Sequence, residues 1–232
     1  MHEFEAVLFD LDDTLCRRDQ TEEELYRGAF EAAGVEPFGA PSDLWEALSG
    51  PPPADGQEAY LRDGFDRVAA QYGEESVDTG ALARGFLDAV DYTAVSLRPG
   101  AAAALECASE RGPVALVTNG PERRQSTKLA ALDLQEAFDV RVFSDDVPRR
   151  KPHSDPFDRA LAHLGVEAEA TLHVGNSLEH DVAGAQDAGL RAAWCPADAD
   201  ANADPGDRSP DYVLESLRDL RDVLDASSRR AR

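Results

Sequence analysis

Lysine is almost missing from this chain. Only Lys128 and Lys151 carry it; the rest of the 23 basic residues are arginine, set against 46 acidic residues and a formal net charge of −23. Nucleic acid and anionic membranes both call for basic surface, so this balance argues against either as a partner. The acid is spread along the chain instead of gathered in a tail. With abundant alanine and aspartate, that is the composition of a halophilic protein, adapted to a high-salt cytosol where screening relieves self-repulsion. An acidic protein of an ordinary cytosol is the alternative. Cysteine is scarce too: Cys16, Cys107 and Cys195 are far apart, odd in number and without metal-ligand spacing, which fits a reducing cytosol. Cys16 reads as a bystander thiol and not a nucleophile. The chain shows no charged-then-apolar opening segment and no apolar run of membrane-spanning length, so a cytoplasmic protein is expected. No internal repeat is visible. The length suits one α/β domain with an insertion, or two small domains.

What is present is organised around Phe4-Glu-Ala-Val-Leu-Phe-Asp-Leu-Asp-Asp-Thr-Leu15. Ala6–Phe9 is a short apolar run of the kind a buried parallel strand shows, and it runs straight into Asp10, Asp12 and Asp13. Carboxylates at the end of a core strand are costly unless a cation or hydrogen bonds compensate. One reading is a strand that delivers Asp10 and Asp12 to a site; the other is a strand followed by an acidic, solvated turn. From Thr21 to Tyr92 the pattern is almost wholly helical. Thr21-Glu-Glu-Glu24 has the form of a capping box, Gly34 is a stop, and Ser49–Gly56 is a loop. After Leu97 apolar runs alternate with helical stretches: strands over Pro113–Val117, Val140–Phe143, Thr171–Val174, Arg191–Trp194 and Tyr212–Leu214. Helices are expected between them, then a polar loop over Pro196–Pro210, a last helix over Leu217–Leu224 and a disordered tail from Ser227. Such alternation argues a parallel sheet with right-handed crossovers.

Three of these strands end in polar clusters. The first ends in Asp10 and Asp12, the second in Thr118-Asn119, and the fourth in Gly175-Asn176 with Asp181 beyond; Lys151 sits in a loop before a helix. In a parallel sheet these ends share one edge, where ligands bind. Carboxylates, a hydroxyl, an amide and one of only two lysines suit a hard divalent cation and a phosphate.

At this point the chain resembles the haloacid dehalogenase superfamily over nearly its whole length. Phe9-Asp-Leu-Asp-Asp-Thr-Leu15 is similar to the family's first motif, Val117-Thr-Asn-Gly120 to its second, Lys151-Pro152 to its third, and Gly175-Asn-Ser-Leu-Glu-His-Asp181 to its fourth. The resemblance implies an α/β, Rossmann-like parallel sheet core, residues 1–17 and 95–226, with an inserted α-helical cap, residues 18–94, and a tail at 227–232. It implies a phosphomonoester hydrolase acting on a small phosphorylated metabolite. Asp10 would be the nucleophile that becomes an aspartyl-phosphate, and Asp12 the general acid and then base. Thr118 and Asn119 would hold the phosphoryl oxygens, and Lys151 would neutralise charge. Mg²⁺ would be held by Asp10, the main-chain carbonyl of Asp12, Asn176 and Asp181. The family's phosphatases usually carry aspartate where Asn176 stands. An amide oxygen can coordinate a hard cation but brings no charge, which weakens the metal by roughly 1–4 kcal/mol.

Metal-free 2-haloacid dehalogenases of the family also lack that carboxylate, but they lack an aspartate at the Asp12 position as well, because no alkoxide leaves. A phosphomutase shares Asp10 and Asp12 and is not separated by the cap sequence. A catalytically retired binding module would have Asn176 as its sole support. Monomer and homodimer are both open. His173 reads as a satisfied sheet histidine, and Asp145 and Asp146 as candidates to position Lys151 or to join the metal's outer shell.

Overall fold

The computed structural model describes residues 4–48, 56–197 and 209–230. In chain order the elements are β1 (Ala6–Phe9), β2 (Cys16–Arg18), α1 (Glu22–Ala33), α2 (Pro41–Ala47), α3 (Gln57–Tyr72), α4 (Thr79–Ala89), β3 (Val95–Leu97) and α5 (Ala101–Ser109). They continue with β4 (Val114–Val117), α6 (Glu122–Ala131), β5 (Val140–Val142), α7 (Asp155–Leu164), β6 (Thr171–Gly175), a π-helical turn over Leu178–Ala183, α8 (Gly184–Asp187), β7 (Arg191–Trp194), β8 (Tyr212–Val213) and α9 (Leu220–Arg230). The chain folds as two compact units, one made of residues 1–17 and 95–232, the other of residues 18–94.

The first unit is a six-stranded sheet in the order β5-β4-β1-β6-β7-β8, with every pair parallel. It is the α/β Rossmann-like core expected from the alternation of strands and helices. β1 lies inside it, with Phe9 opposite Leu116 on one side and Val174 on the other. All four β1 residues are buried, because both faces of the sheet are covered. Val7 and Phe9 face a core shared with Leu105 of α5, Leu129 of α6 and Leu224 of α9. Leu8 faces the other layer, with Phe157 of α7 and Val182 of the π-helical turn. A fully buried Phe9 contributes about 2–3 kcal/mol by removal from water.

The second unit, α1 to α4, has its own core of Leu25, Tyr26, Phe30, Leu44, Phe65, Val68, Leu82 and Phe86. α1 starts at the expected capping box: Thr21 Oγ1 accepts from Glu24 N at 3.2 Å and the Glu24 carboxylate accepts from Thr21 N at 2.7 Å. It stops at Gly34, whose φ of 67° few other residues tolerate.

Three features differ from the sequence reading. The two-stranded pairing of β2 with β3 was not expected, since Cys16-Arg-Arg18 reads as a polar exit from the first strand and Val95-Ser-Leu97 is too short to stand out beside the helical stretch before it. Helical structure begins at Leu178 instead of Val182, because Ser177 Oγ accepts from His180 N at 3.1 Å and caps the turn. The last helix runs on to Arg230 instead of ending at Leu224. Ser227 is buried, its hydroxyl donating to Leu224 O at 2.7 Å, so the helix takes in the first residues of the expected tail. Most of the expected loop over Ser49–Gly56, the middle of the loop over Pro196–Pro210, and the last two residues of the expected tail, Ala231 and Arg232, lie outside the described residues.

Candidate functional site

β1 carries its chain into Asp10, whose main-chain N donates to Val174 O at 3.0 Å, so the carboxylate leaves directly from the sheet edge. Lys151 comes from the loop before α7 and is buried, 2% exposed. Its ammonium has three N–H donors, and each finds an acceptor: Asp10 Oδ1 at 2.8 Å, Asp181 Oδ1 at 2.7 Å and Val117 O at 2.7 Å. A lone buried ammonium would be prohibitive; here two carboxylates and a carbonyl surround it. Asp181 also accepts from His173 Nε2 at 3.0 Å and, on its other oxygen, from Ser177 N at 2.9 Å. It passes directly over Gly175, where a Cβ would lie 2.2 Å from Asp181 Cγ, so glycine alone leaves room.

Around this centre the other strand ends are tied in. Asn119 Nδ2 donates to Lys151 O at 2.9 Å, fastening the loop after β4 to the lysine loop. Thr14 Oγ1 lies 3.1 Å from both Asp10 Oδ2 and Asn176 Oδ1. One hydroxyl proton serves only one of them at a time, so acceptors outnumber donors here. The main-chain carbonyl of Asn176 is held by Trp194 Nε1 at 2.7 Å. A second group forms beside the first. Gln125 Nε2 donates to Asp12 Oδ2 at 2.9 Å and to Thr118 Oγ1 at 2.6 Å, while Lys128 Nζ donates to Asp12 Oδ1 at 2.5 Å.

The electrostatics follow from burial. Asp10, Asp181 and Lys151 carry two negative charges against one positive. Burial pushes the Asp10 carboxyl up to about 7, outweighing the ammonium beside it. Asp181 sits below the usual carboxylate range; burial opposes this, but the Lys151 ammonium and the hydrogen bond from His173 prevail. Burial pulls Lys151 down and His173 down; Asp10 and Asp181 reverse the effect for the lysine, whereas His173 stays low and neutral.

Every residue that the four motifs put forward for catalysis, phosphate binding or metal lies in these two groups. Asp10, Lys151, Asp181, Asn119 and Asn176 share the first, Asp12 and Thr118 the second. Asp145 and Asp146 do not position Lys151: Asp145 caps Glu122 N at 3.1 Å and Asp146 caps Phe143 N at 2.9 Å. Thr14, Gln125, Lys128 and His173 were missed as site residues. Gln125 and Lys128 are three apart on α6, hence on one helix face, and follow Thr118 closely; the rarity of lysine was the signal that could have found Lys128. Among the described residues no three carboxylate, imidazole or thiol groups form a metal cluster. A cation here would draw instead on Asp10, the Asn176 amide oxygen and a main-chain carbonyl. That all-oxygen set, with its surplus of acceptors and a net negative charge, fits a hard divalent ion.

A family model for haloacid dehalogenase-like hydrolases matches residues 4–189. The pyrophosphatase PpaX of Halalkalibacterium halodurans is 31% identical over 228 residues, covering 98% of this chain and all of the relative. Phosphoserine phosphatase of Thermus thermophilus is 30% identical over 92% of this chain and 96% of the relative. Among solved structures, YfnB of Bacillus subtilis, described as a HAD-hydrolase bound to magnesium, superposes with a TM-score of 0.76 at 23% identity, covering 96% of this chain and 99% of the other.

Proposed function

Since the chain belongs to the haloacid dehalogenase-like hydrolases, we propose that it is a phosphomonoester hydrolase acting on a small phosphorylated metabolite through an aspartyl-phosphate on Asp10. The observation that carries this reading is the buried lysine. Lys151 grips one oxygen of Asp10 and leaves the other, facing Thr14, to attack. Relatives named as phosphatases support the substrate class.

Asp10 Oδ2 forms a bond to phosphorus while the bond from phosphorus to the leaving oxygen breaks. Asp12 gives that oxygen a proton, then takes one from the water that cleaves the acyl phosphate and returns Asp10 as a carboxylate. Thr118 and the main chain at Asn119 would hold the phosphoryl oxygens, and Lys151 would offset their charge. One positioned donor of this kind supplies about 10²–10³ in rate. Asp10 must be ionised to attack, which burial opposes and Lys151 favours. Asp10, the Asp12 carbonyl and Asn176 would hold Mg²⁺, with Asp181, whose oxygens are already hydrogen-bonded, reaching it through water. When bound, the ion would supply positive charge against the phosphate. Residues 18–94 would serve as the cap that selects the substrate. The presence of an aspartate at position 12 favours phosphate chemistry over dehalogenation, which needs no leaving-group acid.

The test is a phosphate-release screen over phosphorylated metabolites and 2-haloacids at high salt, with and without Mg²⁺. Phosphate release that depends on Mg²⁺ and is lost in Asp10→Asn is the expected result. Halide release, or turnover surviving in Asp10→Asn, would overturn the reading.

A further inference from the structure

We propose that Lys128 and Gln125 are positioning residues for Asp12, holding the acid/base in register with the phosphate-gripping Thr118; the proposal rests on the role given to Asp12 above. The need for such a device is visible in the exposures. Asp10 and Asp181 are buried and locked by Lys151, but the Asp12 side chain is 46% exposed. An aspartate that open to water swings between rotamers unless something holds it. Here each oxygen has its own donor, and both donors come from one face of α6. Gln125 is fully buried, so its amide is fixed by packing. Its two N–H groups are divided between Asp12 and Thr118, which ties the proton donor to the residue proposed to hold the phosphoryl group.

The bland account is a surface ion pair, which would contribute little. Two observations weigh against it. The Lys128 side chain is only 14% exposed. The chain uses arginine at every basic position except two, and those two lysines each grip one aspartate of the first motif. A compact ammonium reaches a single carboxylate oxygen in a confined space where a planar guanidinium fork would crowd it.

The test compares phenyl phosphate with p-nitrophenyl phosphate, similar in shape but unlike in leaving group. Phenolate is the more basic and leans harder on a proton from Asp12. The parameter to read is kcat/KM, which contains only steps through departure of the alcohol, so breakdown of the aspartyl-phosphate drops out. In Lys128→Met, kcat/KM for phenyl phosphate should fall by roughly 10- to 100-fold and that for p-nitrophenyl phosphate by less than about 3-fold; Gln125→Leu, which also frees Thr118, should lower it for both esters, but for phenyl phosphate by roughly 10-fold more. Partial misfolding cancels in the ratio, since both esters meet the same enzyme. An unchanged ratio in both variants overturns the proposal. Asp12→Asn is the reference. If it shifts the ratio while the α6 variants do not, the positioning role falls and the acid role stands. If Asp12→Asn leaves the ratio unchanged, the acid role falls and the proposal falls with it.

Discussion

The two compact units fill their interiors differently. Residues 18–94 pack a core of aliphatic and aromatic side chains, with Phe65 meeting Tyr26, Phe30 and Phe86 at ring distances of 5.9–6.5 Å. None of the buried charged, amide, histidine, serine or threonine side chains among the described residues lies there. The sheet unit buries Asp10, Thr14, Thr118, Gln125, Lys151, His173 and Asp181, all near the carboxyl ends of three neighbouring strands. An apolar core gains stability with every contact, whereas a buried ion cluster only breaks even when every partner is present. The interior of the helical unit is apolar packing; the sheet unit carries its buried charge at the strand ends where the active site is proposed.

Removing one member from each interior sharpens the contrast. Lys151→Met leaves Asp10 and Asp181 buried without a cation and should cost about 3–5 kcal/mol at pH 7. Phe65→Ala should cost a similar amount, about 3–5 kcal/mol, through its cavity. The two part company with pH. Without the ammonium, both carboxyls titrate higher in the folded protein than in the unfolded chain, so acid neutralises them and returns stability. The Lys151→Met deficit, read from denaturant melts, should therefore shrink from pH 7 towards pH 4.5 while that of Phe65→Ala stays constant. Parallel curves would break the contrast.

A second cut concerns Asp10 itself. Its folded pKa of about 7 lies above the ordinary 3.8. A raised acid stabilises the fold below the unfolded value, and that contribution is lost as pH rises through the folded one. Wild type at pH 8 thus carries a penalty that a neutral amide does not. In chelator and without divalent ions, Asp10→Asn should be more stable than wild type by on the order of 3 kcal/mol at pH 8, the gap closing towards pH 4. The inactive variant would be the sturdier protein, as expected where a site is strained for function. A lower melting temperature for Asp10→Asn at pH 8 would show that the cluster is net stabilising.

Much of this was legible in the sequence, for reasons that also mark where it was not. Ala6–Phe9 and Val114–Val117 are continuous apolar runs, and such runs declare parallel strands buried on both faces. Strand ends fall on one edge by topology, so the order of the motifs alone brings Asp10, Thr118 and Asn176 together. Gln125 and Lys128 stayed hidden because their partner is 113 and 116 residues away and a polar residue on a helix ordinarily faces water. His173 read as a sheet histidine, as it is, but nothing in Thr171-Leu-His-Val174 says that Asp181, eight residues on, turns back to accept its proton. β2 was invisible because Cys16-Arg-Arg18 is polar, and β3 because Val95-Ser-Leu97 lies outside the strand–helix alternation that marks the sheet.

The smallest expected effect probes the departure at Asn176. Its Oδ1 shares the Thr14 hydroxyl with Asp10 Oδ2, so Asn176→Asp would set a new carboxylate beside an existing one. With no cation the like charges repel, and the variant should melt below wild type. With Mg²⁺ the added charge favours the ion. Asn176 is half-buried, which places the gain near the water-like end, about 1–2 kcal/mol, or roughly 5- to 30-fold in Mg²⁺ affinity. The direct reading is the Mg²⁺-induced rise in melting temperature, larger in the variant than in wild type, alongside a calorimetric titration. Equal Mg²⁺ affinities would mean that position 176 does not touch the metal, and that the Asp10 side of the pocket holds it without the Asn176 side chain.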